Sequence, residues 1–325
     1  MQYIDRIYGK FEITEPVILE LINCPSLQRL KEISQYGYYK HFGNFRPNRF
    51  EHSVGVFLLL RKYNTSLKEQ IAGLIHDVSH AAFSHCIDYV FDEGSEKEHN
   101  HQDNIFENFI QKTKIPVILQ KHGFDLEYIL NDKNFPLKEK DLPDLCADRI
   151  DYVLRDAVIL GELSQSGARE FINNLSVINN CWVFKNKKSA ENFANLFLAM
   201  NQKHYASFQV GKMFRTTGDY FRYAHKKGYV QENDFYKTDN FLLTEVKKHH
   251  NKDSELRKLF DRMDGKINIH RNSKNYNATV YVKSRMVNPS FLDKKITKLS
   301  EVNQNWAKII KNELKPKKYF LKFER

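Results

Sequence analysis

The sequence predicts a mainly α-helical protein with a small α+β appendage at its C-terminal end. Apolar residues recur at helical spacing through most of the first 262 positions. Beyond Asp264 the pattern turns to alternation, with Tyr276, Ala278, Val280 and Val282 on one face, as in a strand. A chain of 325 residues, 41% of them hydrophobic, buries a substantial core without disulfide or metal staples. A soft boundary near Arg262 therefore divides the chain into a helical domain, 1–262, and a small basic α+β region, 263–325. No internal repeat or low-complexity segment is found.

In order, the first 20 residues set Tyr3, Ile4, Ile7, Tyr8, Phe11 and Ile13 around Gly9, the pattern of a short extended lead-in or hairpin. From Val17 the spacing is helical (Leu19, Leu21, Ile22, then Leu27, Leu30, Ile33), and Cys24-Pro25-Ser26 splits that run into two helices. A loop with five aromatics, 35–47, leads to a helix over 51–63 that carries His52 near its start. Ser66-Leu67-Lys68-Glu69 reads as a capping box. It opens an apolar helix (Ile71, Ala72, Leu74, Ile75) that ends on His76-Asp77. A polar loop, 92–100, precedes an amphipathic helix from about His101 to Ile110. Further helices are expected over 115–120, 125–131, 144–160 and 190–229, with a strand at 180–184. Residues 296–310 have helical character, and a basic tail follows.

The formal net charge is +11, which favours polyanionic partners such as nucleotides, nucleic acid or an acidic surface. From Tyr281 to Arg325 there are 12 Lys+Arg against 4 Asp+Glu, so +8 of the +11 lies in the last 45 residues. That stretch is either a solvated tail or a polyanion-binding surface. Cys24, Cys86, Cys146 and Cys181 lie far apart, which suggests neither a zinc-thiolate site nor a disulfide framework and fits a reducing cytoplasm. The opening MQYIDRIYGKFEI has no basic region followed by an apolar run, so no signal peptide is expected. No stretch approaches the ~20 apolar residues of a membrane span, and no membrane association is expected.

An HD dipeptide alone is a weak signal, but His76-Asp77 ends an apolar helix, where an ionisable pair is costly unless paired or metal-bound. The plain alternative is a His–Asp hydrogen bond that caps the helix. His52, His80, His85, Asp88 and Asp148 in the surrounding stretch favour a metal site. His52, His76, Asp77 and Asp148, two imidazoles and two carboxylates, suit a hard-to-borderline divalent metal at a hydrolytic centre. On the helix around Asp148, Tyr152, Arg155 and Asp156 follow at i+4, i+7 and i+8 and share its face, while Ile150, Val153, Leu154 and Ala157 cover the other. That polar face reads as a pocket wall. Its alternative is an exposed face with an Asp151–Arg155 ion pair, which is worth little.

PSLQRLKEISQYG, NRFEHSVGV, HDVSHAAFSH, DRIDYVLRD and the late KSRMVNPSF…ITKLSE together resemble the HD-domain metal-dependent phosphohydrolases, specifically the branch of the deoxynucleoside triphosphate triphosphohydrolases. The resemblance covers most of the chain. It implies a helical HD fold with His52, His76, Asp77 and Asp148 as metal ligands, and a metal-activated water that attacks phosphorus. In that branch intact triphosphate is released and the nucleoside 5′-oxygen is the leaving group, so a general acid is needed. His85, positioned by Asp88, is the first candidate and His101 the second, with His99 competing for that place. The resemblance further implies phosphate contacts for Arg49, Arg149, His80 and Lys212, sugar contacts for Tyr152 and Asp156, and a sugar or base contact for Gln35.

The chain departs from the branch at Ser79-His80 and Ala81-Ala82, where Gly-His and Gly-Pro are usual, and at QVGK, where the branch shows Tyr-x-His-Lys. Gln209 and Gly211 thus replace a tyrosine and a histidine; Tyr205, one turn earlier, is the residue that could compensate. A phosphodiesterase or nuclease using the same metal site, with the basic C-terminal region tracking a strand, is the second reading. Against it, that region lacks the regular aromatic interleaving of a stacking platform. A nucleotide-binding protein with little turnover is the third. The His/carboxylate set suits Mn, Fe or Zn better than Mg alone. A homo-oligomer is expected.

Overall fold

A computed structural model describes residues 1–38, 40, 47–91 and 97–324. The chain opens with an antiparallel hairpin, β1 (Gln2–Asp5) and β2 (Gly9–Glu12), turned at Gly9 with φ +85°. Helices α1 (Pro16–Asn23) and α2 (Pro25–Arg29) are separated at Cys24, each with a proline in its first turn, where the missing N–H costs nothing. Of the two loops expected next, residues 39, 41–46 and 92–96 lie outside the described residues.

Helix α3 (Arg49–Lys62) begins two residues before the expected start, because the Asn48 side chain accepts from Glu51 N and caps it. Nearly every side chain of α3 from Phe50 to Leu60 is buried, as befits a helix apolar on all sides. Val54, Phe57 and Leu58 enter one hydrophobic cluster with α1 and α4 (Leu67–Ile75); Val56, Leu59 and Leu60 enter a second. The core is therefore two clusters with α3 between them. Ser66 caps α4 as the capping box predicts, but the box is half made: Glu69 Oε1 accepts from Leu137 N (2.8 Å) and Lys138 N (3.1 Å), tying down the segment before Asp148.

Helices α5 (His101–Gln111), α6 (Ile115–Lys121) and α7 (Leu126–Leu130) then lead to α8 (Ala147–Ile159) and α9 (Gln165–Asn173). Strand β3 (Leu175–Ile178), absent from the sequence reading, pairs with β4 (Cys181–Phe184) across Asn179-Asn180, both at positive φ as a two-residue hairpin demands. The stretch expected as one long helix is α10 (Lys187–Met200), a π-helical turn at Asn201–Tyr205, and α11 (Phe208–Lys226). Helices α12 (Asp239–Lys247) and α13 (Ser254–Met263) close the helical part, with Arg262 inside α13.

The C-terminal part consists of β5 (Ile269–Arg271), β6 (Ala278–Val282), β7 (Ser290–Leu292), β8 (Ile296–Lys298), α14 (Leu299–Val302), α15 (Gln304–Glu313) and β9 (Lys317–Phe323). The helix expected over 296–310 thus starts as a strand. The basic tail is ordered as the central strand of the sheet β5-β9-β6, with Leu321 buried beneath it. In the sheet β3-β4-β7-β8, β4 and β7 run parallel, so the two regions share a sheet. Gly211 on α11 is needed where β6 crosses it: a Cβ there would meet Val282 at 3.0 Å and Val280 and Tyr319 at 3.1 Å. That crossing brings the segment after β6 to the site.

Candidate active site

A cavity of about 830 Å3 opens between α3, the end of α4, α8 and the segment after β6. Its floor holds His52 from α3, His76 and Asp77 from the end of α4, and Asp148 from the first turn of α8. His52 Nε2 lies 2.9 Å from Asp148 Oδ1 and 3.2 Å from His76 Nε2; His76 Nε2 is 3.5 Å from both Asp148 Oδ1 and Asp77 Oδ1. Such separations are the edges of a polyhedron around one ion with bonds near 2.0–2.3 Å. The tautomers agree: His52 Nδ1 faces Asp151 Oδ2 at 2.8 Å and His76 Nδ1 faces the Gly73 carbonyl at 2.8 Å, so both present Nε2 to the centre. Two imidazole nitrogens 3.2 Å apart need a proton or a cation between them. Burial alone would push His52 down, yet the hydrogen bonds to Asp148 and Asp151 and the fields of Asp77 and Asp151 outweigh it and hold the ring at about 10 without metal. The residues fit a divalent cation.

Around this floor the charges are matched. Arg49 gives Nη1 to Asp77 Oδ2 (2.9 Å) and Nε to Ser84 Oγ (2.9 Å). Burial pushes Asp77 up, but Arg49, His76 and His80 outweigh it and hold it well below the usual carboxylate range. Asp151 and Arg155 do form an ion pair, not on an exposed face but fully buried, and Arg155 does not line the cavity. Arg155 donates twice to Asp151 and once to Asp5 in the N-terminal hairpin, and Asp151 in turn holds His52. Gly55 makes room, since a Cβ there would stand 2.0 Å from Arg155 Nη2. Arg149 lines the cavity and pairs with Glu139 at 3.0 Å.

His80 sits 3.2 Å from Asp77 Oδ1, and burial with the field of Arg49 pushes it down to about 4. His85 meets Asp88 at 3.0 Å, and its ring packs edge-on against His80. Burial, His80 and the nearby Arg49, Arg285 and Lys283 hold His85 well below the ordinary histidine range, so it rests neutral. His101 is placed otherwise than the sequence suggested. Its ring stacks on Phe91 and Tyr236, its Nε2 meets Tyr236 Oη at 3.1 Å, and it does not line the large cavity. Its backbone N–H donates to Asp88 Oδ1 at 2.9 Å. His99, turned inward at φ +50°, lines the cavity with its ring 5.1 Å from that of His85.

At the other side of the cavity Tyr152 and Asp156 follow Asp148 by one and two turns of α8. Tyr205 from the π-helical turn donates to Asp156 Oδ2 at 2.9 Å and packs edge-on against Tyr152. Burial pushes Asp156 up to about 6, against the hydrogen bonds of Tyr36 and Tyr205. Gln35 Oε1 and Tyr152 Oη are buried and without a hydrogen-bond partner. Gln209 is exposed, and Tyr205 occupies this recess instead. Lys212 is a second departure: it does not line the cavity. Val210, Met213 and Phe214 do, and Lys212 lies ~200° round α11 from Val210. The cations that do reach the cavity from this side of the molecule are Lys283 and Arg285, which the motif KSRMVNPSF contained but the sequence reading did not single out.

The HD domain family matches residues 49–156, the span from Arg49 to Asp156 that builds this cavity floor. The chain is 35% identical to the uncharacterized protein YdhJ of Bacillus subtilis over 95% of this chain and 94% of that one. It is 39% identical to the metal-dependent phosphohydrolase cns2 of Cordyceps militaris over 53% of this chain and 49% of that one. With the deoxynucleoside triphosphate triphosphohydrolase SAMHD1 of Gallus gallus it shares 34% identity over 38% of this chain and 23% of that one. A crystal structure of a hypothetical protein from Aquifex aeolicus has the same fold, with TM-score 0.75 and 22% identity over 99% of this chain and 96% of that one.

Proposed function

This chain belongs to the HD-domain metal-dependent phosphohydrolases, and from that premise we propose that it hydrolyses deoxynucleoside triphosphates to nucleoside and intact triphosphate. One observation carries the choice of substrate. The cavity joins the His/Asp floor to a recess where Gln35 Oε1 and Tyr152 Oη are buried without partners and Tyr205 bridges to Asp156. Buried polar atoms left unsatisfied cost roughly 1–3 kcal/mol each, and the hydroxyls and base edge of a nucleoside would satisfy these. The similarity to a deoxynucleoside triphosphate triphosphohydrolase over 38% of this chain supports the same reading.

His52, His76, Asp77 and Asp148 would hold the divalent ion. Bound there, it supplies an activated water and neutralises charge on the attacked phosphate. The chain's own groups do the rest. Arg49, fixed by Asp77 and Ser84, and Arg149, fixed by Glu139, border the reacting phosphate as charge-assisted donors. As the water oxygen bonds to phosphorus and the bond to the 5′-oxygen breaks, that oxygen needs a proton. His85, oriented by Asp88, is the donor. Burial first, then His80 and the cations Arg49, Arg285 and Lys283, keep it neutral at rest; a polyanionic substrate offsets the field of those cations and favours the protonated ring.

The second reading, a phosphodiesterase on single strands, draws support from β9, where Lys318 lies over the rings of Tyr281 (5.2 Å) and Phe320 (5.4 Å). Incubation with Mn²⁺ and, separately, dNTPs, rNTPs and single-stranded oligonucleotides, with products identified by mass spectrometry, tests both. Deoxynucleoside plus free triphosphate is the expected result. Shortened oligonucleotides with untouched dNTPs would overturn it.

A further inference from the structure

Every arginine at the cavity floor has a counter-charge: Arg49 has Asp77, Arg149 has Glu139, and the Arg155 behind them has Asp151 and Asp5. Lys283 and Arg285 line the same cavity, yet among the described residues neither side chain makes a hydrogen bond or ion pair. Their backbone is held on purpose. Asn201 donates to Ser284 Oγ (2.9 Å) and accepts from Arg285 N (2.9 Å), while Ser284 is buried between the two. Pinning Ser284 inward sends residues 283 and 285 to the opposite face together, as alternation in an extended segment requires.

This arrangement is costly when empty. Lys283 is largely buried, and burial together with the field of Arg285 pushes its ammonium down to about 8, tempered by Asp103 and Glu98. The same two cations depress His85 and His99, so their field reaches the leaving-group side of the cavity. That field also argues against a second cation at His85, Asp88 and His99, although their donor atoms lie within 4.8 Å of one another. Two adjacent, unpaired, half-buried cations that face a cavity want an anion with more than one charged group.

We propose that Lys283 and Arg285 seat the phosphates beyond the one attacked, so that the site selects a polyphosphate chain over a phosphate monoester. The assignment rests on the reading above, in which the attacked phosphate lies at the His/Asp floor. It names the substrate class, a linear polyphosphate ester, by the anion that these two side chains complete.

Calorimetric titration of the metal-free full chain with inorganic triphosphate, and separately with orthophosphate, tests it without catalysis. The wild type is expected to bind triphosphate about 100-fold more tightly than orthophosphate. Lys283→Gln and Arg285→Gln should each weaken triphosphate binding about tenfold, one charge-assisted contact apiece, with the pair losing about 100-fold. Lys283→Arg should restore most of the loss. Lys294→Gln/Lys295→Gln, which removes two exposed charges elsewhere, should change nothing. Wild-type triphosphate affinity in a folded Lys283→Gln/Arg285→Gln variant overturns the proposal, as does equal wild-type affinity for triphosphate and orthophosphate. A single-stranded oligonucleotide that displaces triphosphate and depends equally on both residues overturns it in favour of a strand. If triphosphate binding behaves as expected but no dNTP is cleaved, the functional reading fails and the phosphate seat stands. If the double variant cleaves dNTPs at the wild-type kcat/KM, the seat fails and the functional reading stands.

Discussion

The two sides of the cavity differ in how their charges are met. On the α3–α4–α8 side the charged groups at the floor have partners within the chain: His52 between Asp148 and Asp151, Asp77 between Arg49 and His80, Arg155 between Asp151 and Asp5. On the side formed after β6, Lys283 and Arg285 have none among the described residues. A closed network fixes geometry before any ligand arrives, and breaking one member leaves another charge stranded. An open pair stores repulsion that a ligand relieves. The first side is built to hold an ion in one place; the second is built to be completed.

The largest effect should come from breaking the closed side at its centre. Asp77→Asn is expected to abolish both metal retention, read by elemental mass spectrometry, and turnover, while the helical circular dichroism signal persists. A variant that kept metal and activity would sink the ligand assignment. One layer out, Asp151→Asn keeps one oxygen for His52 Nδ1 and Arg155 Nε, but it removes the carboxylate charge and sets an NH2 group against Arg155 Nη2. Metal affinity should fall about 10–100-fold, and titration with a chelator-buffered metal series would reveal it. Gly55→Ala drives a methyl group into Arg155 and Asp151 without touching the cavity, and should lower stability by roughly 3–5 kcal/mol in denaturant melts. If it melts like the wild type, the buried network is softer than described.

The smallest effect should come from the open side, and its sign is diagnostic. Lys283 is pushed down to about 8 in the fold against an ordinary 10.5, so between pH 8 and 10.5 the unfolded chain carries the proton and the folded chain does not. Stability from this group therefore rises as pH increases through that window. Lys283→Met should remove that rise, leaving the metal-free variant at or above the wild-type thermal midpoint at pH 7. A clear loss of stability at pH 7 would show that Lys283 has a partner in the fold and belongs to the closed class.

The closed side was largely legible in the sequence because its parts are local. The His76-Asp77 pair ends a helix with an explicit start signal, and Asp148, Tyr152 and Asp156 share one face of a single helix. What escaped depended on distant partners or on one dihedral angle. Arg155, which helical spacing sets with Asp148, Tyr152 and Asp156 on a pocket wall, lies behind the cavity instead, because Asp5, 150 residues away, joins Asp151 in holding it in the interior. His101 was preferred to His99 because position does not reveal that residue 99 turns back at φ +50°. The motif sets Lys212 at the phosphates, whereas the phase of α11 directs its other side to the cavity. In the sequence Lys283 and Arg285 are two of the 12 Lys+Arg in the last 45 residues, and nothing local separates them from the others. Their role appears only once β9 pairs with β6 and the segment after β6 is carried over the site.

The five-residue turn from Asn201 to Tyr205 touches both ends of the cavity: its first residue holds the Ser284 hydroxyl and the Arg285 backbone N–H, and its last reaches Asp156. A single residue inserted or deleted there rotates one end by ~100° relative to the other. Relatives with different substrates are thus expected to exchange this segment as a cassette with its length conserved, and a designer retargeting the cavity would do well to graft 201–205 and 283–285 together.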